Sequence, residues 1–263
     1  MQTGISTASL FVRYTTEDAV KFLSDNGVKA CEVFLSTYAE YNKKFGKLLD
    51  KLKKDMAVNS VHVLNTQFEP QLYSINERAR KDAFDMLKNA MACASKIDAK
   101  YYTFHGVARV KKTPMKIDYD RVGKITQEII DCIGKFGVSL AFENVHWSYY
   151  NYIGFFNEIR KRTTGLKGTL DIKQARQSGI HYSEYIKEMG EDIVTVHLSD
   201  VLEDGTMCLP GKGVTDFDDL FKRLKDVNFN GTSLIEVYQS DYKETSELFS
   251  SLEFIKEKIY KIF

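Results

Sequence analysis

Seven acids and imidazoles stand at matching places along this sequence, each inside or at the end of a short apolar run. They are Glu32 in ACEVFL, His62 in SVHVLN, His105 in YYTFHG, Glu143 in LAFENV, Asp171 in GTLDI, His197 in VTVHLSD and Glu236 in LIEVY. One acid in an apolar run is ordinary. Several drawn together from different strands would repel one another, and each unpaired buried charge costs on the order of several kcal/mol. A cation among them removes that cost. Carboxylates mixed with imidazole suit one divalent ion such as Mn²⁺, Co²⁺, Mg²⁺ or Zn²⁺ rather than a thiolate site. None of the four cysteines (Cys31, Cys93, Cys132 and Cys208) falls on these positions.

For these residues to meet, the runs that carry them must be strands of one sheet. Eight candidates recur roughly every 25 to 40 residues: Thr3–Thr7, Ala30–Leu35, Ser60–Asn65, Tyr101–Gly106, Ser139–Val145, Gly168–Ile172, Ile193–Ser199 and Thr232–Val237. Between them the apolar period changes to that of a helix. Ile75, Ala79, Ala83, Met86, Leu87, Ala90, Met91 and Ala94 form one stripe, and Val122, Ile125, Ile129, Ile133 and Phe136 form another. Gly137 supplies a left-handed end to the second helix. Phe217, Leu220, Phe221 and Leu224 follow Asp216 as an N-cap, and a last helix runs from about Glu247 to Tyr260. Strands separated by helices pair in parallel. Eight such units, with no linker or low-complexity stretch between them, predict one (β/α)8 TIM barrel over residues 1–263. In that fold the active site lies at the C-terminal ends of the strands, where the seven residues fall.

Composition narrows the function. The chain carries 37 basic and 36 acidic residues, so it has no global charge with which to hold a polyanion, and no nucleic-acid partner is expected. The apolar share of 43% suffices for a large core, yet no segment approaches the ~20 apolar residues that span a bilayer. The scattered cysteines, with no CxxC pair, read as reduced thiols in a cytoplasmic protein. A homo-oligomer is compatible with this reading.

The motifs AFEN at Glu143, LDIKQA at Asp171, VHLSD at His197, Pro210-Gly211-Lys212-Gly213 with Asp216-Phe217, and LIEV at Glu236 come in a characteristic order. In that order the chain resembles, over essentially its whole length, the xylose-isomerase-like barrels. That superfamily holds sugar isomerases and ketose 3-epimerases, inosose dehydratases and apurinic-site endonucleases. The resemblance implies a metal quartet of Glu143, Asp171, His197 and Glu236, with Glu143 and Glu236 also exchanging protons with substrate. It implies an isomerase or epimerase acting on a small carbohydrate or polyol through an enediolate. Three alternatives stand beside it: a dehydratase of a keto-polyol, an endonuclease-like hydrolase, and a sugar-binding barrel without activity. The endonucleases hold three zinc ions. Here the third site lacks its ligands, since Gln174 replaces a histidine and Gly205, Thr206 and Met207 stand where an Asp-x-His is needed. His62, His105 and Glu143 match the first zinc site, so a second metal stays open.

Around this centre, His62, His105, Gln174, Glu32 and Trp147 are candidates for substrate contact or, for the histidines, a second ion; Glu32 alternatively pairs with a lysine or arginine. The run His146, Trp147, Tyr149, Tyr150 and Tyr152 offers aromatic faces to a sugar or packs as a loop. Asp200 is expected to orient a loop rather than bind metal. The PGKG turn is a weak phosphate-cradle signal. Arg13, Arg109, Lys173 and Arg176 read as solvated charge that could meet an anion, and His181 as a structural residue at a helix start.

Overall fold

A computed structural model describes residues 1–108 and 116–263. Eight strands form a closed parallel barrel: β1 (Gln2–Ser6), β2 (Ala30–Leu35), β3 (Ala57–Val63), β4 (Tyr101–Phe104), β5 (Ser139–Glu143), β6 (Lys167–Asp171), β7 (Ile193–Leu198) and β10 (Thr232–Ile235). Their order around the ring, β1-β10-β7-β6-β5-β4-β3-β2, is the chain order, with β10 closing on β1. A short antiparallel hairpin, β8 (Asp200–Val201) with β9 (Met207–Cys208), stands above β7. The described helices are α1 (Thr16–Asp25), α2 (Lys43–Lys53), α3 (Glu77–Ala94), α4 (Tyr119–Gly134), α5 (Phe155–Arg160), α6 (Ile172–Gln177), α7 (Tyr182–Met189), α8 (Phe217–Asp226) and α9 (Ser246–Ile262). None is long and apolar enough to cross a membrane.

The strand expectations hold in number and place, and several overrun at their C-terminal ends. Tyr101–Gly106 pairs only to Phe104, because Gly106 turns the chain at φ +72°. Val145 and Val237 likewise lie past the last paired residue, where the chain leaves the ring to shape the mouth. The helix stripes bury as their period demands. Ala83, Leu87, Ala90 and Met91 are sealed under α3, and Val122, Ile125, Ile129 and Ile133 under α4. Full burial of each larger aliphatic side chain contributes about 1.5–3 kcal/mol. Ile75 departs from the first stripe. It precedes the Asn76 N-cap and is 89% exposed, since a residue outside the helix does not share its phase. Asp216 caps α8 by accepting from the Asp219 N–H, and Gly137 ends α4's turn at φ +77°.

Register decides what meets inside the ring. Ser6, Glu32 and Ser60 lie side by side on β1, β2 and β3, and a bulge beside Glu32 skips Asn59 to bring Ser60 opposite it. Asp171 on β6 pairs with His197 on β7. Closure demands one close approach: a Cβ on Gly4 would lie 1.8 Å from the Ala30 carbonyl oxygen. Gly4→Ala therefore has to push β1 and β2 apart, and should lower unfolding free energy by at least about 2 kcal/mol in urea titration, since backbone is the obstacle. A neutral effect would mean that the two strands are less tightly apposed than this.

Candidate metal centre

Each of the four strand ends contributes one group. Glu143 ends β5, Asp171 ends β6, His197 lies one residue before the end of β7, and Glu236 follows β10. Ligand-type atoms of these four residues all lie within 4.8 Å of one another, and all four residues are at least largely buried. His197 Nδ1 is 3.0 Å from Glu143 Oε1, 3.5 Å from Glu236 Oε2 and 3.9 Å from Asp171 Oδ2. Its other nitrogen, Nε2, faces Glu32 Oε1 at 3.2 Å. The ring thus turns Nδ1 toward the cluster, where it hydrogen-bonds Glu143, while Nε2 faces the Glu32 carboxylate at ion-pair distance without the alignment of a hydrogen bond.

The residues fit a divalent cation on a direct test. Glu143 Oε2, Asp171 Oδ2 and Glu236 Oε2 are buried oxygens without a hydrogen-bond donor. A divalent cation bound among them would satisfy all three at once. Their environment shows the strain. Burial lifts Asp171 to about 7, aided by the charges of Glu143 and Glu236 and opposed by Lys173 and His197. Burial would raise Glu143 too, but contacts with His105 and His197 hold its pKa well below the usual carboxylate range. Burial disfavours the charged form of His105, yet Glu143 and Glu69 outweigh it and raise the imidazole to about 10.

Below the cluster lies a second layer. Glu32 is fully buried, and accepts hydrogen bonds from Ser6 Oγ at 3.1 Å, Ser60 Oγ at 2.7 Å and Thr103 Oγ1 at 2.6 Å. The expectation of a substrate contact or a lysine or arginine partner is corrected: Glu32 sits beneath the mouth and serves His197 and His62, the latter with Nδ1 at 3.5 Å. His105 Nε2 approaches Glu143 Oε2 at 2.8 Å without the alignment of a hydrogen bond. Among the described residues, His62, His105 and Glu143 do not gather as a metal-binding group; the second group that does is Glu32, His62 and Glu236. Sequence reading missed Glu69. Fully buried, it accepts from Tyr102 Oη at 2.6 Å, Asn65 Nδ2 at 2.7 Å, and the His105 and Gly106 N–H groups at 3.1 Å, so it sets the backbone that presents His105. Its one signal was an acid between Phe68 and Pro70. Asn144, also missed, ties β5 to β6 by bonding both N–H and C=O of Asp171.

Above the cluster opens a cavity of about 370 Å³, bordered by His62, His105, Glu143, Trp147, Gln174 and Glu236. Apolar walls come from Phe11, Phe34 and Tyr238. Of the aromatic run, Trp147 alone faces this space, with its ring 5.3 Å from His105. Tyr150 is fully buried against Phe155 and Phe156, Tyr149 borders a different hollow, and Tyr152 bonds Tyr119. Gln174 Oε1 approaches His146 Nδ1 at 2.6 Å and accepts from its N–H at 3.2 Å, which leaves the amide –NH₂ as the donor free for a ligand.

Other candidates find structural work. Asp200 accepts four N–H groups, those of Val201, Gly211, Gly213 and Thr215, at 2.8–3.0 Å. Those bonds consume the glycine N–H groups that a phosphate cradle would need. Arg13 donates to the carbonyls of Gln239, Tyr242 and Lys243 and stacks on Tyr242. His181 caps α7 by accepting from the Ser183 N–H. Arg109 lies outside the described residues. Lys173 is not solvated charge: it is 2% exposed and borders the cavity.

The chain's relatives share this architecture. An inosose isomerase of Bacillus velezensis is 22% identical over 233 residues, which cover 78% of each chain. Among solved structures, an IolI protein with a bound zinc atom superposes with TM-score 0.80 at 18% identity, covering 100% of this chain and 99% of that one. A D-tagatose 3-epimerase-like protein gives 0.79 at 20% identity, over 100% and 98%. At these identities the superpositions speak for the fold. The sequence profile described as xylose isomerase-like TIM barrel matches residues 20–258, and with a closed eight-stranded parallel barrel around the Glu143 cluster, this chain belongs to that family.

Proposed function

We propose that the chain is a divalent-metal-dependent isomerase or epimerase of a small carbohydrate or polyol, working through an enediolate. One observation carries the reading. Three donorless carboxylate oxygens and an oriented imidazole meet at the floor of a cavity whose walls are partly aromatic. The cation bound there would supply Lewis acidity, making the C–H beside a carbonyl removable at neutral pH. The protein's own groups do the rest. Glu143 and Glu236 border the cavity and are the proton acceptors in reach of a substrate carbon. Return of the proton to the same carbon from the other side inverts it; return to the neighbouring carbon isomerises. Trp147 offers a face for the apolar side of a sugar, and the Gln174 amide a donor to a hydroxyl. Inosose isomerase and the epimerase-like structure, in sequence and in fold, support this class.

A dehydratase begins with the same proton abstraction and needs an acid for the departing hydroxyl. His105, at the edge of the cavity with Nε2 2.8 Å from Glu143 Oε2, is placed to serve as that acid and favours the second reading. The mass of the product separates the two.

Elemental analysis after reconstitution with Mn²⁺ or Co²⁺ should find one ion per chain, lost in Glu143→Ala and Asp171→Ala. Protonation of Asp171 competes with the ion. A carboxyl raised to about 7 favours folding while protonated, and that contribution is lost as pH rises through 7. Metal affinity should therefore run the opposite way, falling by up to about tenfold per unit as pH drops below 7. Calorimetry showing equal affinity at about pH 5.5 and pH 7 would remove Asp171 from the ligand set.

Glu143→Gln and Glu236→Gln keep shape and should each lower kcat by at least ~10²-fold, the scale of a lost general base. Turnover in D₂O should place deuterium beside the carbonyl. Unlabelled product at full conversion would reject enediolate chemistry in favour of a hydride shift. Cleavage of abasic duplex DNA should be trace at most, since Gln174, Gly205, Thr206 and Met207 offer no third metal site.

A further inference from the structure

Among the described residues, Lys173 is the one anion candidate that the fold buries. It lies in the first turn of α6, two residues after Asp171, and is 2% exposed. Its only partner among the described residues is the face of Tyr238, with Nζ 4.0 Å from the ring centroid; no carboxylate pairs with it and no hydrogen bond uses its three N–H donors. A desolvated ammonium is expensive unless an oxyanion or a set of acceptors replaces its water. Among the described residues the longer-range charges of Asp171, Glu236 and Glu143 favour the ammonium, with no ion pair or hydrogen bond to replace its water.

Its position says where that replacement enters. Lys173 borders the main cavity and also a second one of about 260 Å³, between α6, the start of α7 and the β8–β9 hairpin. Arg176 lines the second cavity, one turn along the same face of α6, exposed and with no ion pair among the described residues. Ser199, Thr215 and His181 add polar edges to its wall. The single carboxylate among its lining residues, Asp200, has both oxygens taken by N–H groups of the hairpin and the glycine loop. Two cations without an ion pair among the described residues thus border the second cavity, whose own carboxylate is fully engaged, and Lys173 also borders the cavity above the Glu143 cluster.

The geometry points to an oxyanion subsite formed by Lys173 and Arg176, so that the substrate of this barrel carries a terminal phosphate or carboxylate. The substrate class rests on the isomerase reading above; the anion site itself does not. With the reacting carbonyl over the Glu143 cluster, the charged end reaches Lys173 at the wall shared by the two cavities. A phosphate or carboxylate gives the buried ammonium a charge-assisted bond, and Arg176 a second, planar donor set.

Full-length protein loaded with Mg²⁺ is titrated with inorganic phosphate and, separately, with acetate by calorimetry, and the titrations are repeated on Lys173→Met and Arg176→Met. At least one anion should bind wild type, with affinity falling at least about tenfold in Lys173→Met and about threefold in Arg176→Met. The tighter anion names the substrate's charged group. Affinities unchanged in both variants would place the anion on the cation and overturn the subsite, as would absence of binding by either anion. Should Lys173→Met fail to fold, the exposed Arg176→Met, together with Lys173→Arg expected to retain binding, carries the same decision. Paired ketoses with and without a terminal phosphate or carboxylate then test substrate class through kcat/KM. At least tenfold preference for a charged member, reduced in Arg176→Met, supports it. Equal turnover of neutral and charged members overturns the subsite and leaves the isomerase reading standing. Anion binding that falls in the variants, with no ketose turned over, keeps the subsite and sinks the isomerase reading instead.

Discussion

His197 lies within ion-pair distance of four carboxylates, those of Glu32, Glu143, Asp171 and Glu236, and the rest of the barrel is arranged around that crowding. Like charges this close inside a protein repel strongly, because little water is present to screen them. The fold carries that cost and must be stabilised elsewhere, by the aliphatic layer between the strands and α3, α4 and α8. The imidazole relieves part of it: its pKa stands well above the ordinary value, against burial, because Glu236, Glu32 and Glu143 favour its charge. One ring cannot neutralise four acids, and the divalent ion proposed for this site would supply the balance.

The crowding is divided between two levels. At the lower one, Glu32 is held by the hydroxyls of Ser6, Ser60 and Thr103, neutral donors that fix a charge without cancelling it. From there it faces both His197 and His62 at ion-pair distance. At the upper level, Glu143, Asp171 and Glu236 keep oxygens without donors. Rigid support below and unmet need above is what preorganisation requires, since a ligand then meets atoms that need not be freed from other bonds.

Much of this was legible before any coordinates. Acids and imidazoles in or ending short apolar runs pointed to strand ends, and strand ends of a parallel barrel share one rim. Depth was not legible. Glu32 looked the same in sequence as Glu143, but a bulge on the β2–β3 pairing and the stagger of the strands set it one level down. Lys173 read as surface charge because a lysine after a strand usually is one. Asp171 ends β6 and also caps α6 through the Gln174 N–H, so α6 starts without a loop and carries Lys173 over the mouth. Glu69 escaped notice because it sits in a short 3-10 turn with no periodicity to mark it.

The donorless oxygens also have an internal comparison. Where a buried acid of this chain is structural, the protein surrounds it completely. Asp200 receives four N–H groups from its hairpin and the glycine loop, and Glu69 four donors around His105. Glu188 takes the N–H groups of Gly154 and Asn157 with the Tyr150 hydroxyl. Asp200 stands only three residues beyond His197, so the contrast does not arise from distant parts of the fold. A chain able to satisfy carboxylates this fully, so near the centre, leaves Glu143, Asp171 and Glu236 unsatisfied at one point only among its described residues. Each such atom carries a desolvation cost of about 1–3 kcal/mol or more. A cation bound there, as proposed, would return that energy on binding.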